Sequence, residues 1–227
     1  MAGMGTLEQL LEAETKAWQL FEVAEERNYF TAGQTEKDLS NRLYDLAFEL
    51  FAIKKYWHKR IVRSGRNTLL PYSENPPDLA LQPDDILFVD FGPVFEKWEA
   101  DIGKTYVIGD DARKLKLSRD VESVWDEVRD YYIVNKETIT GAELYAFAKK
   151  IAQEYGWAFG NTMAGHLVGR FPHEVIPGDK IINYIHPDNR ERMSLMYPNG
   201  TERFWILEIH MVDAANQMGG FYEKVLR

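Results

Sequence analysis

The chain of 227 residues is long enough to bury a sizeable core without covalent staples, and no linker-like tract divides it. It has no cysteine, which excludes disulfides, thiol nucleophiles and thiolate zinc sites. Twenty-seven basic against thirty-six acidic residues leave a net charge of −9, which repels nucleic acid and anionic membranes; with no apolar run of spanning length and no leader-like start, a soluble, cytoplasmic protein is expected.

From Thr6 onward, Leu7, Leu10, Leu11, Ala17, Trp18, Phe21 and Ala24 recur at helical spacing and predict an amphipathic helix to about Arg27. Thr35, with Asp38 three residues on, resembles a capping box opening a second helix along Leu39, Leu43, Leu46, Leu50 and Phe51. Residues 85–91 (DILFVDF) are apolar on both alternating faces around Asp90, as in a strand covered on either side. Residues 98–108 read as its returning antiparallel partner, across a turn centred between Phe95 and Glu96. Ser118 is expected to cap a third helix along Val121, Val124, Trp125, Val128 and Tyr132, and Thr140-Gly141 to open a fourth that Gly156 ends. Residues 204–212 (FWILEIHMV) and 221–226 (FYEKVL) predict a hairpin turning at Ala215-Asn216. Helices followed by strands, twice over, give an α+β fold in one domain with two pseudo-repeated halves, about residues 30–110 and 118–227.

The chemistry lies in the acids of the two predicted hairpins. The expected turns set Asp90 opposite Asp101 and Glu208 opposite Glu223. Like charges facing each other across a ladder destabilise it, and burying them costs several kcal/mol each, so such a cluster either protonates or holds cations. Four carboxylates are enough for two divalent ions. The segment Gly165-His166-Leu167-Val168-Gly169-Arg170-Phe171-Pro172-His173 offers imidazoles to complete the set. Oxygen-rich ligation with one or two imidazoles suits manganese, cobalt, iron(II) or zinc, and paired ions of this kind support hydrolysis. His210, two residues beyond Glu208 on the same face, is expected to line the pocket and contact substrate. His58 and His186 have no evident partner and read as structural or surface residues.

Five stretches resemble the metallopeptidase family of creatinase, aminopeptidase P, prolidase and methionine aminopeptidase, family M24, whose fold is called pita-bread. They are Val89-Asp90-Phe91-Gly92, Ala100-Asp101-Ile102-Gly103-Lys104-Thr105, Gly165-His166 with His173, Ile206-Leu207-Glu208, and Tyr222-Glu223. The resemblance covers nearly the whole chain. It implies a dinuclear site in which Asp90 and Asp101 bind or bridge the ions, His166 and Glu208 serve one of them, and Glu223 bridges. By the same likeness, Glu208 moves the proton as activated water attacks, His173 stabilises the tetrahedral intermediate or orients the carbonyl, and Thr105 supports the ligands from behind. A short peptide, of the Xaa-Pro type, is the implied substrate, and a homodimer is in keeping with the family.

Three positions depart from the family pattern. Pro71 stands in the place of a substrate-contacting histidine, Lys104 in that of an arginine, and Ile209, followed by His210, in that of a proline. They leave two alternatives beside a peptidase: a creatinase-like enzyme for a small non-peptide molecule, and an inactive binding module.

Overall fold

The computed structural model describes residues 6–172 and 180–227. Helix α1, Thr6–Glu26, buries Leu10, Ala13, Ala17, Leu20, Phe21 and Ala24, the stripe that helical spacing dictates. Helix α2, Glu36–Phe51, starts on a complete capping box between Thr35 and Asp38 and ends where Ala52 turns left-handed. Strand β1, Ile61–Ser64, follows, then a 3-10 turn over Gly65–Leu69 and strand β2, Ile86–Phe91. The short strands β3, Val94–Phe95, and β4, Trp98–Glu99, form a hairpin of their own before β5, Ile102–Val107.

Helix α3, Ala112–Asn135, begins seven residues earlier than a helix capped by Ser118 would. Asp111 is its cap, with Oδ1 accepting from the Arg113 and Lys114 amides at 2.9 Å each. The polar first turn has no apolar stripe to announce it, and Ser118 lies inside the helix, donating to the Thr105 carbonyl at 3.3 Å. Helix α4, Gly141–Glu154, starts on a second capping box, Thr140 with Glu143. Strands β6, Ala158–Phe159, and β7, Leu167–Val168, are short; β8, Phe204–Asp213, and β9, Met218–Val225, are long. Among the described residues, no helix is long and apolar enough to cross a membrane.

The main sheet runs β1-β2-β5-β9-β8-β6, with β7 paired to β8, and every pairing is antiparallel. One face carries the helices. Leu87, Val89, Phe91 and Ile102 pack with α1 and α2, while Leu207, Ile209 and Met211 pack with α3 and α4. The alternate residues of the same strands therefore point the other way, into a cavity of about 630 Å³ walled by the 57–73, 160–167 and 183–184 segments.

β1 is a strand that sequence periodicity did not predict. It has only four residues, and Arg63 interrupts its apolar character. That guanidinium is buried because carbonyls of the following loop accept from it: Pro71 at 2.7 Å, Glu74 at 2.9 Å, and Leu70. Glu36 ties the same region to α2, accepting from the Ser64 amide at 2.6 Å, the Ser64 hydroxyl at 3.0 Å and the Asn67 amide group at 3.0 Å.

Candidate metal centre

A single crosswise row sets the acids. Asp90 on β2 pairs with Gly103 on β5, Gly103 with Glu223 on β9, and Glu223 with Glu208 on β8. Directly paired residues share a face, so Asp90, Glu208 and Glu223 all point into the cavity, together with Asp101 two residues before Gly103. All four are buried, at 8%, 9%, 2% and 1% exposure respectively.

The C-terminal hairpin has the register expected from sequence, with Glu208 opposite Glu223. The first hairpin does not. Its turn lies at Glu96-Lys97, with Glu96 at φ +57°, and the pairing runs two residues on from the expected one, so that Asp90 faces Gly103. The pairs Phe91–Ile102 and Val94–Glu99 carry the same register past Asp101 and set it across from Gly92. Each aspartate thus faces a glycine, and direct opposition of like charges is replaced by a diagonal. A slip of two preserves the face, which is why both side chains still reach the same cavity.

His166 arrives from the other side. The β7 ladder, Leu167 to Trp205, continues through the Ile206 amide donating to the His166 carbonyl at 2.8 Å and the Glu208 amide donating to the Ala164 carbonyl at 3.0 Å. The backbones touch at Gly165: at φ +134°, a Cβ there would lie 2.0 Å from the Ile206 oxygen, so only glycine brings the segment this close. His166 Nε2 then lies 3.2 Å from Asp101 Oδ2, 3.3 Å from Glu208 Oε1 and 3.9 Å from Glu223 Oε1.

His58, read from sequence as structural or surface, belongs to the site. Its Nε2 lies 3.0 Å from Asp101 Oδ1 and 3.5 Å from Asp90 Oδ1. The loop between α2 and β1 carries it there by pairing with residues 92–94: Trp57 N donates to Gly92 O, and Val94 N to Lys55 O, both at 3.0 Å. No periodicity within the loop signals that long-range pairing. His210 is elsewhere on the wall. Its Nε2 donates to the Thr68 carbonyl at 2.8 Å, its ring packs on Phe88 and Phe221, and burial pushes its pKa down to about 4, so it is neutral. His173 lies outside the described residues. Pro71 and Tyr72 both line the cavity, the Tyr72 ring 5.9 Å from that of His58.

Burial dominates the electrostatics, and the crowding of charges modulates it. Burial, partly offset by His58 and reinforced by Asp101 and Glu208, pushes Asp90 up to about 7. Burial likewise raises Glu208, and with the charges of Asp101, Asp90 and Glu208 it holds Glu223 well above the usual carboxylate range. Burial also opposes ionisation of Asp101, but His58 and His166 prevail and keep its pKa below the ordinary value. Both imidazoles resist desolvation through the neighbouring carboxylates and rise to about 9. Among the described residues, two imidazoles face four acids even when both are charged, and Glu223 Oε2 is buried without a hydrogen-bond partner. That imbalance and the donor set fit divalent cations. Among the described residues, two overlapping groups are close enough to hold an ion, His58 with Asp90 and Asp101, and Asp101 with His166 and Glu223.

Thr105 staples the row. β5 and β9 share a single ladder pair, and the Thr105 hydroxyl closes the joint next to it by donating to Phe221 O at 2.8 Å and accepting from Phe221 N at 2.7 Å. A larger open depression of about 1170 Å³ beside the start of α1 contains none of the convergent acids.

Solved structures share this architecture. An X-Pro aminopeptidase from Thermotoga maritima superposes with a TM-score of 0.71 at 22% identity, over 98% of this chain and 58% of that one. A methionine aminopeptidase from the same organism gives 0.65 at 17% identity, over 99% of this chain and 94% of that one. The fold is thus the α+β pita-bread fold expected from the motifs. The model of metallopeptidase family M24 matches residues 8–199, and the chain belongs to that family. Among curated proteins, the Xaa-Pro dipeptidase of Pyrococcus horikoshii is 27% identical over 145 residues, 63% of this chain. The match spans 40% of the length of that relative.

Proposed function

We propose that this protein is a metal-dependent hydrolase that cleaves the amide bond of a short peptide, of the Xaa-Pro type. The observation that carries the reading is the convergence of four buried carboxylates and an imidazole on the floor of a cavity of about 630 Å³, a size suited to a dipeptide. Similarity to an Xaa-Pro dipeptidase and an X-Pro aminopeptidase supports the substrate class.

Asp90, Asp101, His166, Glu208 and Glu223 would hold two divalent ions of the manganese, cobalt, iron or zinc kind. Such ions supply Lewis acidity and lower the pKa of water at neutral pH. The remaining work falls to the chain. Asp101, stabilised as the anion, shares its two oxygens between the two sides of the site. Glu208, raised by burial, is suited to take a proton from the attacking water and pass it to the leaving amine. Ile61, Phe88 and Phe221 provide an apolar wall against which a pyrrolidine ring would pack, with His210 behind it as a neutral part of that wall. His173 is assigned to the tetrahedral intermediate by family likeness.

Elemental analysis of the purified protein, followed by assay of Xaa-Pro dipeptides with added manganese or cobalt, tests the reading. Metal-stimulated release of proline is the expected result. A protein that binds no divalent ion, or a loaded one that cleaves no dipeptide while acting on a small non-peptide amide, would overturn the peptidase assignment.

A further inference from the structure

We infer that His58 is a metal ligand equivalent to His166, so that the two ion sites that share Asp101 receive one imidazole each. The inference rests on the metal-dependent reading above and adds a residue that neither the sequence motifs nor the family likeness supplied.

The two imidazoles are presented in the same way. His58 Nδ1 lies 2.7 Å from the carbonyl of Lys59, and His166 Nδ1 lies 2.8 Å from the carbonyl of Leu167, the next residue in each case. A carbonyl can only accept, so each Nδ1 carries a proton; each Nε2 faces the acids, and an ion bound among them would take the place of the Nε2 proton. This is the arrangement by which a second hydrogen bond fixes the tautomer of a ligating histidine. The indole of Trp57 stands edge-on to both rings, at 4.4 Å from His58 and 5.3 Å from His166, and its Nε1 donates to Ala100 O at 3.0 Å, beside Asp101.

The distances suit shared ligation. Donor atoms bound about 2.0–2.2 Å from one ion, at angles between square and tetrahedral, lie about 2.8–3.6 Å apart. His58 Nε2 meets that condition with Asp101 Oδ1 and Asp90 Oδ1, at 3.0 and 3.5 Å. His166 Nε2 meets it with Asp101 Oδ2 and Glu208 Oε1, at 3.2 and 3.3 Å. Each imidazole therefore takes a different oxygen of Asp101. The charge count agrees: two neutral imidazoles and four carboxylates balance two divalent ions.

The chain makes room for His58 in particular. A Cβ on Gly92 would lie 2.2 Å from His58 Cδ2, 2.3 Å from its Nε2 and 2.3 Å from Trp57 Nε1. Gly92 is the position that faces Asp101 across the hairpin, so the missing side chain is the space that His58 fills. A second nitrogen donor also makes the site softer, which favours cobalt, iron(II) or zinc over manganese more than a single imidazole would.

The test uses the full chain loaded with Co(II). Proton NMR of the wild type should show paramagnetically shifted, exchangeable Nδ1–H signals from both histidines, one lost in His58→Gln and the other in His166→Gln. Calorimetric titration with Co(II) should give two equivalents for the wild type, with one weakened at least 10-fold in His58→Gln. Gly92→Ala, which keeps every ligand but takes the space of the ring, should weaken the same equivalent. A His58→Gln protein that keeps both signals and both affinities would overturn the ligand assignment alone, and a change confined to KM would reassign His58 to substrate contact. A wild type that takes up no Co(II) would overturn the metal reading itself. If His58→Gln does not fold, 15N-histidine-labelled wild type answers the question: a Nε2 shift of His58 on Zn(II) loading supports ligation, and an unchanged one overturns it.

Discussion

The two hairpins that supply the acids solve the same electrostatic problem differently. β8 and β9 are long, joined by a tight turn in which Asn216 donates to Asp213, and they set Glu208 directly across from Glu223. β2 and β5 are separated by a smaller hairpin, and each aspartate there faces a glycine. The direct pair concentrates charge, and among the described residues Glu223 keeps an unpartnered oxygen. The diagonal pair opens a gap that admits an imidazole from a distant loop. The first hairpin thus meets His58 through its own gap at Gly92, whereas the second meets His166 from the segment packed on β8 at Gly165.

Substitutions on either side of this contrast should break it to different degrees. The largest effect is expected for Asp101→Asn, which removes the charge both imidazoles face: kcat/KM for a dipeptide should fall at least about 1000-fold, and the Tm difference between metal-loaded and metal-free protein should shrink. Normal turnover would remove Asp101 from the site. On the second hairpin, Gly165→Ala forces a Cβ against the Ile206 carbonyl at a left-handed φ, at a cost of about 3 kcal/mol, or roughly 6–12 °C in Tm by thermal melt. Thr105→Val keeps the shape but strands Phe221 N and O in the joint between the hairpins. About 1–3 kcal/mol should be lost in urea unfolding, and an unchanged midpoint would mean the hydroxyl is not the staple.

The smallest effect sharpens the comparison at its rim. Glu14 of α1 accepts from the Val225 amide of β9 at 2.7 Å, and burial raises its pKa despite that bond and the nearby Lys224. An acid raised in the fold costs stability when ionised, above its folded pKa, and that cost vanishes once the unfolded group is also protonated. Glu14→Gln should therefore melt higher than wild type at pH 8, with the gain closing as the pH falls towards the ordinary glutamate value. A gain that is independent of pH would exclude the linkage.

The same contrast explains what the sequence made legible. Glu208 and Glu223 sit in long alternating strands around a tight turn, so arithmetic on the turn was enough to pair them. The aspartate register was missed by two because β3 and β4 add a local turn at Glu96, where a non-glycine residue adopts a positive φ. The motifs still named both aspartates, since a two-residue slip keeps their face. His58 was invisible because its position depends on residues 55–57 pairing with 92–94, a long-range contact with no periodic trace. The α3 start was hidden for the opposite reason: its cap is local, but its first turn is polar.

The crosswise row has one further consequence. Asp90, Glu223 and Glu208 stand on central strands hydrogen-bonded on both sides, so the spacing of these three proposed ligands is set by the sheet rather than by loop closure. Ion capture by these three, as proposed, would need side-chain rotation without backbone opening. The amides of these three residues should be among the last in the molecule to exchange with deuterium, with or without metal.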